Sequence, residues 1–338
     1  MPNAQQILVA GPAWVGDMVM AQSLFITLKQ RTHPVEIDVL APAWSTPILA
    51  RMPEVRDTIN LPIGHGEFGL WQRYLLGKSL RTKYYDQAII TPRSYKAALV
   101  PFFAKAKQRT GYRGEMRYGV INDIHTLDKN ILQQTVQRYV ALGLNSNIKQ
   151  APAIPFPKLT VDSNNLQKLL VKLNLNIDKP VVALLPGAEY GEAKRWPVEH
   201  FSTLASLLCE QGLQVWILGS DKDYETADTL AKGNDAINLC GKIKLEDSID
   251  LLSVCKSAVS NDSGLMHIAA AVGIPLIAIY GSSTPNYTPP LTNNAKIQYL
   301  DLKCSPCFER ICPLGHTNCL RGILPKLVFK SVLENIRE

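Results

Sequence analysis

Two adjacent cations, Lys194 and Arg195, stand near the end of the segment PGAEYGEAKRWP (residues 186–197), which follows a short apolar run. A Lys side chain offers a compact positive charge and an Arg side chain offers a planar fork of donors, and both suit the oxygens of a diphosphate. The segment is equally typical of an ordinary surface loop. The spacing alone leaves both interpretations open.

A second candidate anion site lies in the segment SNDSGLMHIAAAVGIPLIAIYG. Asp262 ends a predicted strand, and Ser263 and Gly264 begin a predicted helix. His267 lies one helical turn further on, on the same face as Ser263. The free backbone N–H groups of a helix start attract anions, and glycine lets a phosphate approach closely. The alternatives are that Asp262 caps the helix and that His267 is a core histidine, and we favour the anion site.

The segment LGSDKDYE contains Asp221 and Asp223 in the Asp-x-Asp spacing by which some enzymes hold a metal ion and a nucleotide diphosphate. This pattern is short and common. Because it opens a predicted helix after a predicted strand, helix capping is the interpretation we favour. An acid at this place could also accept hydrogen bonds from ribose hydroxyl groups.

The segment CSPCFERICPLGHTNC gathers thiols near the end of the chain. Its potential metal ligands are Cys304, Cys307, Cys312, Cys319 and His316. Thiolates this close in sequence can share one tetrahedral ion, but a single C-x-x-C is weak evidence. A structural zinc ion and reduced, buried thiols both stay open. We favour the thiols and expect no catalytic metal.

A carboxylate, Asp17, stands in the segment GPAWVGDMVM, between the apolar run ILVA and a helix-like segment. Nothing else in this segment can titrate usefully. A helix-capping role and a chemical role are both open for it, and the choice depends on what the rest of the chain places opposite.

The elements that must position these residues alternate short β-branched runs with helix-length amphipathic segments, which is typical of parallel sheets built from βαβ units. At 338 residues, two domains are expected. We predict an α/β protein with two Rossmann-like, doubly wound domains facing each other across a cleft. The predicted parts are residues 1–160, residues 175–320 and a C-terminal helix over residues 321–338.

The net charge of +7 is concentrated in the first half of the chain. Residues 73–117 contain 11 Lys and Arg against 2 acidic residues. Such a run favours an anionic partner, whether nucleic acid, a phosphorylated substrate or a membrane surface, although a solvated basic face explains it too. No apolar run approaches the roughly 18 residues of a membrane span and no signal peptide is evident, so we expect a soluble, cytoplasmic protein.

Taken together, GPAWVGDMVM, PGAEYGEAKRWP and NDSGLMHIAAA resemble the heptosyltransferases of glycosyltransferase family 9. The segments APAWSTPILARMPEV, RTGYRGEMRYG and SSTPNYTPPL extend the resemblance to about residue 291. The family implies the GT-B fold, in which the second domain holds the ADP-sugar and the first holds the lipid acceptor. It also implies transfer of L-glycero-D-manno-heptose with inversion and without an essential metal or other cofactor.

The resemblance assigns roles by position, with Asp17 as the catalytic base and Lys194 at the diphosphate. Asp262, Gly264, Leu265 and His267, with Ser263, match the sugar-nucleotide loop of the family. Asp223 is a looser match to an acidic ribose contact and Ile243 to an adenine contact, and the role of Arg195 is open. The implied partners are an ADP-heptose donor and a lipid A-Kdo-heptose acceptor at the membrane surface, where the enzyme is expected to lie peripherally on the inner membrane.

For the acceptor, the basic run offers cations that are expected to ring the first domain's side of the cleft: Arg93, Lys96, Arg109, Arg113 and Arg117. Two other classes remain in competition with a glycosyltransferase. A sugar-nucleotide epimerase could use the same scaffold, since fold alone does not decide chemistry, but the basic run would then lack a purpose. A nucleic-acid-binding protein would explain the basic run but leaves the donor loop unexplained, so we expect no nucleic-acid partner.

Overall fold

The computed structural model describes residues 4–64, 66–144 and 148–337 of the chain. The chain divides into two compact units, Met1–Pro157 and Lys158–Glu338. Each unit contains one six-stranded sheet.

In the first unit, all strand pairs are parallel and the order across the sheet is β3-β2-β1-β4-β5-β6. The central strands are almost wholly apolar and buried, as expected for a parallel sheet covered on both faces. The strands are β1 (Gln5–Ala10), β2 (Val35–Ala41), β3 (Val55–Asn60), β4 (Gln87–Ile90), β5 (Gln108–Tyr112) and β6 (Asp123–His125).

The helices of the first unit follow the strands in the order expected for βαβ connections. They are α1 (Val15–Lys29), α2 (Thr46–Leu49), α3 (Leu70–Ser79), α4 (Leu99–Phe103) and α5 (Thr135–Leu142). The long α1 follows β1 and buries Leu24, Phe25 and Leu28 completely. An acidic residue in its first turn, Asp17, suits the positive end of the helix dipole.

The second unit repeats this topology. Its sheet order is β12-β11-β10-β7-β8-β9, again with parallel pairs throughout. The strands are β7 (Val181–Leu185), β8 (Gln214–Ile217), β9 (Ile237–Asn238), β10 (Ser257–Asn261), β11 (Leu276–Ile279) and β12 (Ala295–Gln298).

The second unit's helices include a C-terminal helix that belongs to its core. They are α6 (Ser163–Lys172), α7 (Val198–Glu210), α8 (Tyr224–Ala231), α9 (Leu245–Leu252), α10 (Gly264–Val272), α11 (Asn318–Arg321) and α12 (Pro325–Arg337). In α12, Val328 and Val332 are fully buried in one cluster with Leu204 and Leu208 of α7. The segment predicted as a helix over residues 321–338 therefore begins at Pro325 in the structure, and residue 338 lies outside the described residues.

Both sheets have the strand order of a doubly wound fold, which confirms the predicted fold class. In such a sheet, connections leave on opposite sides at the central pair, and ligands bind beyond the carboxyl ends of that pair. The central pair is β1 and β4 in the first unit and β7 and β10 in the second. Within the described residues, no helix is both long and apolar enough to cross a membrane.

Candidate functional site

The carboxyl ends of β7 and β10 are joined by an ion pair. Lys194 ends a short turn after β7, and its Nζ lies 2.5 Å from Oδ2 of Asp262, the residue that follows β10. The two side chains are 17% and 5% exposed, so the ammonium group is shielded but not sealed from solvent. The structure thus brings together two residues that are 68 positions apart in the sequence.

Neighbouring side chains hold this pair in place. The Ser283 hydroxyl donates to the same Asp262 oxygen at 2.5 Å. Asn261 accepts the backbone N–H of Trp196 at 3.0 Å and donates to the Pro186 carbonyl at 2.7 Å, which ties the end of β10 to the chain that carries Lys194. Because a buried carboxylate needs partners, these bonds fix where the Lys194 ammonium group can lie.

A second, weaker ion pair lies at the end of the neighbouring strand β8. Asp223 accepts the backbone N–H and the hydroxyl of Ser220, as a capping residue does, and its Oδ1 lies 3.6 Å from a guanidinium nitrogen of Arg195. A Cβ at Gly187 would come within 2.7 Å of the Asp223 carboxylate. Asp223 therefore caps a turn, and its predicted contact with ribose stays a prediction.

The predicted sugar-nucleotide loop forms the start of α10. Ser263 is the N-cap, with its hydroxyl 3.4 Å from that of Ser260, and Gly264 is the first helical residue. Leu265 is half-buried at this start. His267 is buried one turn later, and burial lowers its pKa to about 4. The negative charge of Asp262 acts to raise this pKa, and the positive charge of Lys194 acts to lower it further. At neutral pH His267 is uncharged, so it adds no positive charge for an anion.

Ile243, the predicted adenine contact, lies in the turn between β9 and α9 and is half-buried. It follows the carboxyl end of β9, at the edge of the sheet. No contact in the structure tests its role, which stays a prediction.

A loop from late in the chain packs on the loop that carries Lys194. The Tyr190 hydroxyl donates to the Phe308 carbonyl at 2.6 Å, and the Ala193 N–H donates to the Arg310 carbonyl at 3.0 Å. The Lys194 ammonium group lies 5.0 Å from the centre of the Tyr190 ring, and the Arg310 guanidinium lies 5.4 Å from it. The position of Lys194 thus depends on residues more than 100 positions away.

In the first unit, Asp17 lies in the first turn of α1, just beyond the carboxyl end of β1. The Tyr139 hydroxyl, on α5, donates to its Oδ1 at 3.1 Å. Asp17 is half-buried. A carboxylate at the end of a central strand, oriented by a hydroxyl group, is a candidate for a general base, and its role stays a prediction.

The predicted acceptor cations fall into two groups. Arg93 and Lys96 follow β4, and Arg113 follows β5. Arg93 and Arg113 are both exposed and adjacent, because the Arg93 guanidinium donates to the Arg113 carbonyl at 3.3 Å. Lys96 is half-buried and donates to the Glu67 carbonyl at 3.3 Å. This group can present positive charge to an anion.

Arg109 and Arg117 differ from the expectation that they ring an acceptor site. Arg117 is buried, and its guanidinium donates to three backbone carbonyls, one of them that of Pro92 at 2.7 Å. Arg109 donates to the carbonyls of Val120 and Ala106 at 2.7 Å and 2.6 Å. Both guanidinium groups donate hydrogen bonds to backbone carbonyls of the protein itself. The sequence alone does not distinguish this role from ligand binding.

The cysteine cluster is more exposed than the favoured interpretation held. Cys304 is exposed, and Cys307, Cys312 and Cys319 are half-buried, because the segment runs as an irregular surface loop into the short helix α11, which contains Cys319. All four are free thiols. In the described part of the chain, no group of three or more His, Cys, Asp or Glu side chains is arranged to hold a metal ion.

Sequence reasoning missed the residues that position the site. Tyr139, Ser283 and Asn261 act through partners that are 21 to 122 positions away, and no local pattern marks such pairings. Of the three, Asn261 is the residue whose role the sequence could have indicated, because a polar side chain at the end of a buried strand needs a hydrogen-bond partner.

The fold and these ionisable groups define a class of protein. Two doubly wound units with charged residues at both switch points are the architecture of GT-B glycosyltransferases. The structure of ADP-heptose lipopolysaccharide heptosyltransferase II from Escherichia coli matches with a TM-score of 0.87, at 40% sequence identity, over 98% of this chain and 99% of that one.

Sequence comparison narrows the class further. The family model of glycosyltransferase family 9 (heptosyltransferase) matches residues 73–318, and the chain belongs to that family. Lipopolysaccharide heptosyltransferase 2 of Salmonella typhimurium strain LT2 is 45% identical over 338 residues, 97% of each chain. Lipooligosaccharide heptosyltransferase 2 of Haemophilus ducreyi is 46% identical over 307 residues, 86% of this chain and 88% of that one.

Proposed function

We propose that this enzyme transfers L-glycero-D-manno-heptose from ADP-heptose to heptosyl-Kdo2-lipid A, with inversion, during synthesis of the lipopolysaccharide inner core. The observation that carries the proposal is the Lys194–Asp262 pair at the end of the central strands β7 and β10, beside the start of α10. The names of the relatives supply the sugar, the nucleotide, lipopolysaccharide as the acceptor and the type II assignment.

On the donor side, Lys194 is the candidate for neutralising the diphosphate. Its ammonium group has three donor hydrogens, and Asp262 engages it from one side, which leaves donors for phosphate oxygens. The backbone N–H groups at Gly264 and Leu265 begin α10 and favour negative charge. Charge on ADP grows as it leaves, so donors fixed in advance stabilise the transition state more than the bound donor.

On the acceptor side, Asp17 is the candidate base. It takes the proton from the acceptor hydroxyl as that oxygen attacks the anomeric carbon, while the bond from that carbon to the ADP oxygen breaks and the configuration inverts. The Tyr139 hydroxyl, 3.1 Å from Asp17 Oδ1, orients the carboxylate. Leaving charge on ADP is matched by the Lys194 ammonium group rather than by a metal ion.

The exposed pair Arg93 and Arg113 supports an anionic acceptor. A lipid A core bears Kdo carboxylates and phosphates, which these cations attract. Because that acceptor is a lipid, we place the enzyme peripherally at the inner face of the inner membrane, in the cytoplasm.

The test is mass spectrometry of products after incubation with ADP-heptose and either of two acceptors, one ending in Kdo and one already carrying a single heptose. We expect a mass gain of one heptose on the monoheptosylated acceptor only. Addition to the Kdo-terminated acceptor alone would make the enzyme a heptosyltransferase I. Conversion of the free sugar nucleotide without transfer would make it an epimerase.

A further inference from the structure

The first unit has an exposed surface, made by α3 and α4, that the transfer reaction does not use. One side of α3 is buried, with Arg73 and Gly77 packed inward. The opposite side carries Trp71, Leu75 and Lys78 at helical spacing, and all three are exposed. Trp71 is 66% exposed, an unusual state for so large an apolar side chain.

Aromatic rings make this surface continuous. Trp71 stacks on Tyr74 with ring centres 5.3 Å apart, Tyr74 meets Phe103 edge-on at 5.3 Å, and Phe103 lies 5.5 Å from Phe102. Phe102, on α4, is 41% exposed. We call this row, with Leu70 and Leu75, the aromatic surface.

Positive charge borders the aromatic surface. The Arg109 guanidinium lies 5.6 Å from the centre of the Phe102 ring, and Arg81 donates to the Phe103 carbonyl at 2.9 Å. Lys78 follows Gly77 on α3, and Lys105 follows α4, and both are exposed. Within the described residues, no ion pair involves Lys78, Arg81 or Lys105. Exposed aromatic rings bordered by unpaired cations are typical of surfaces that rest on anionic membranes.

The helix α3 is hydrogen-bonded, through its buried side, to the chain that holds the candidate acceptor cations. The buried Arg73 donates to the Phe68 carbonyl at 2.7 Å and to the Lys96 carbonyl at 3.1 Å, so it links the start of α3 to the chain that follows β4. That chain includes Arg93, next to Arg113. The helix that carries Trp71 is therefore tied, through its buried side, to the segment that holds cations proposed to receive the acceptor's sugars and phosphates.

We infer that the aromatic surface and its bordering cations dock on the headgroup region of an anionic phospholipid bilayer. Trp71, Leu75 and Phe102 enter the boundary between headgroups and acyl chains, and Lys78, Arg81 and Lys105 meet lipid phosphates. The inference rests on the proposed function in one respect, that the acceptor is a lipid held in that bilayer. Charge complementarity selects this partner over a second copy of the chain, which would oppose cation to cation.

The test measures co-sedimentation of the full chain with vesicles that contain no acceptor. We expect binding to vesicles of equal parts phosphatidylglycerol and phosphatidylcholine, and little binding to phosphatidylcholine alone. Trp71→Ser and Leu75→Ser should each weaken binding to the vesicles. The effect should be about tenfold for Trp71, because the variant can no longer bury this large apolar side chain in the bilayer. Leu327→Ser is the matched control, because Leu327 is 50% exposed on α12 of the second unit against 47% for Leu75.

Charge and activity supply independent readouts. Lys78→Ala combined with Lys105→Ala should reduce binding to phosphatidylglycerol vesicles and leave the residual binding to phosphatidylcholine unchanged. With a deacylated, water-soluble acceptor, Trp71→Ser should keep the wild-type kcat/KM. With the acceptor embedded in vesicles, its kcat/KM should fall about tenfold, in line with its weaker vesicle binding.

Three results would overturn the inference: equal binding to both vesicle types, wild-type vesicle affinity in Trp71→Ser, or a dimer in sedimentation that Trp71→Ser abolishes while vesicle binding stays unchanged. Retained melting temperature in each variant shows that the fold is intact. If the wild-type chain binds anionic vesicles but transfers no heptose, the proposed function fails and the docking surface stands.

Discussion

The charged residues beside the two sheets differ in their pairing and in their burial. At the central strands of the second unit, Lys194 and Asp262 are paired at 2.5 Å and largely buried. In the first unit, Arg93 follows the central strand β4, Arg113 follows its neighbour β5, and both are exposed side by side. The proposed donor side is thus preorganised, whereas the proposed acceptor side presents exposed positive charge.

This difference follows from what each side is proposed to bind. A nucleotide sugar is small, and fixed donors that need no rearrangement at the moment of reaction stabilise its departing phosphate best. A lipid with a charged core is large, and exposed cations attract it over a distance without demanding one geometry. The predictions below test whether the two sides separate in this way.

The largest effect is expected for Asp17→Asn. Turnover should fall by roughly two to four orders of magnitude, since a positioned base contributes about that much, while donor binding stays at the wild-type level. The measurement is kcat with ADP-heptose and the monoheptosylated acceptor. Asp128→Asn, an exposed acid in the same unit, is the control and should be silent. Wild-type turnover in Asp17→Asn would falsify the base assignment.

The next effect is expected for Lys194→Ala. Loss of one preformed cation at the leaving group should lower kcat/KM for the donor by about a hundredfold. Lys222→Ala is a matched control, because Lys222 also pairs with a carboxylate at 2.6 Å, but on the exposed surface. If Lys194→Ala leaves kcat/KM unchanged, Arg195 becomes the candidate for the diphosphate contact.

A smaller effect is expected for the exposed cations. The double variant Arg93→Ala, Arg113→Ala should raise the KM for acceptor by about tenfold and leave the KM for donor unchanged. Added salt should act in the same direction on the wild-type enzyme, because it screens exposed charge. Lys232→Ala, an exposed cation of the second unit, is the control. Equal changes in both KM values would remove the proposed division between the two sides.

The smallest effect concerns pH and stability. Burial lowers the pKa of His267 to about 4, against 6.5 in its unperturbed state, so the folded state resists protonation. Between these values the unfolded state binds the extra proton, and stability should fall as pH falls from 6.5 toward 4. His267→Gln should flatten this part of the melting-temperature profile, and His33→Gln, at an exposed site, should not. An unchanged slope in His267→Gln would show that other groups cause it.

Much of the fold could be predicted from periodicity alone. The strands around Ile7, Ile89, Val182 and Ile277 are buried apolar runs of the kind a parallel sheet requires. The strands β3 and β12 show no such run, because each lies at the edge of its sheet and carries charged residues, such as Arg56 and Lys296. An edge strand is half solvated, so its sequence shows no continuous apolar run.

The candidate site was predictable only in part. Asp17, Lys194 and Asp262 stand at strand ends, where chain order and topology already place them. The sequence could not predict that Arg93 is exposed and Arg117 is buried, because this depends on which guanidinium group has three backbone carbonyls within hydrogen-bond distance. Hydrogen bonds between distant residues decide this, and a local pattern does not encode them.

The loop that packs on Tyr190 and Ala193 also sets a condition on how the enzyme is made. Gly191 has no room for a Cβ because the Arg310 carbonyl lies against it, and the Trp196 indole donates to the Ile323 carbonyl at 2.9 Å. During translation, the chain around Lys194 emerges well before either partner. The proposed donor-binding loop therefore cannot reach its final form until residue 323 has left the ribosome, so a nascent chain that stops short of it lacks part of the proposed nucleotide site.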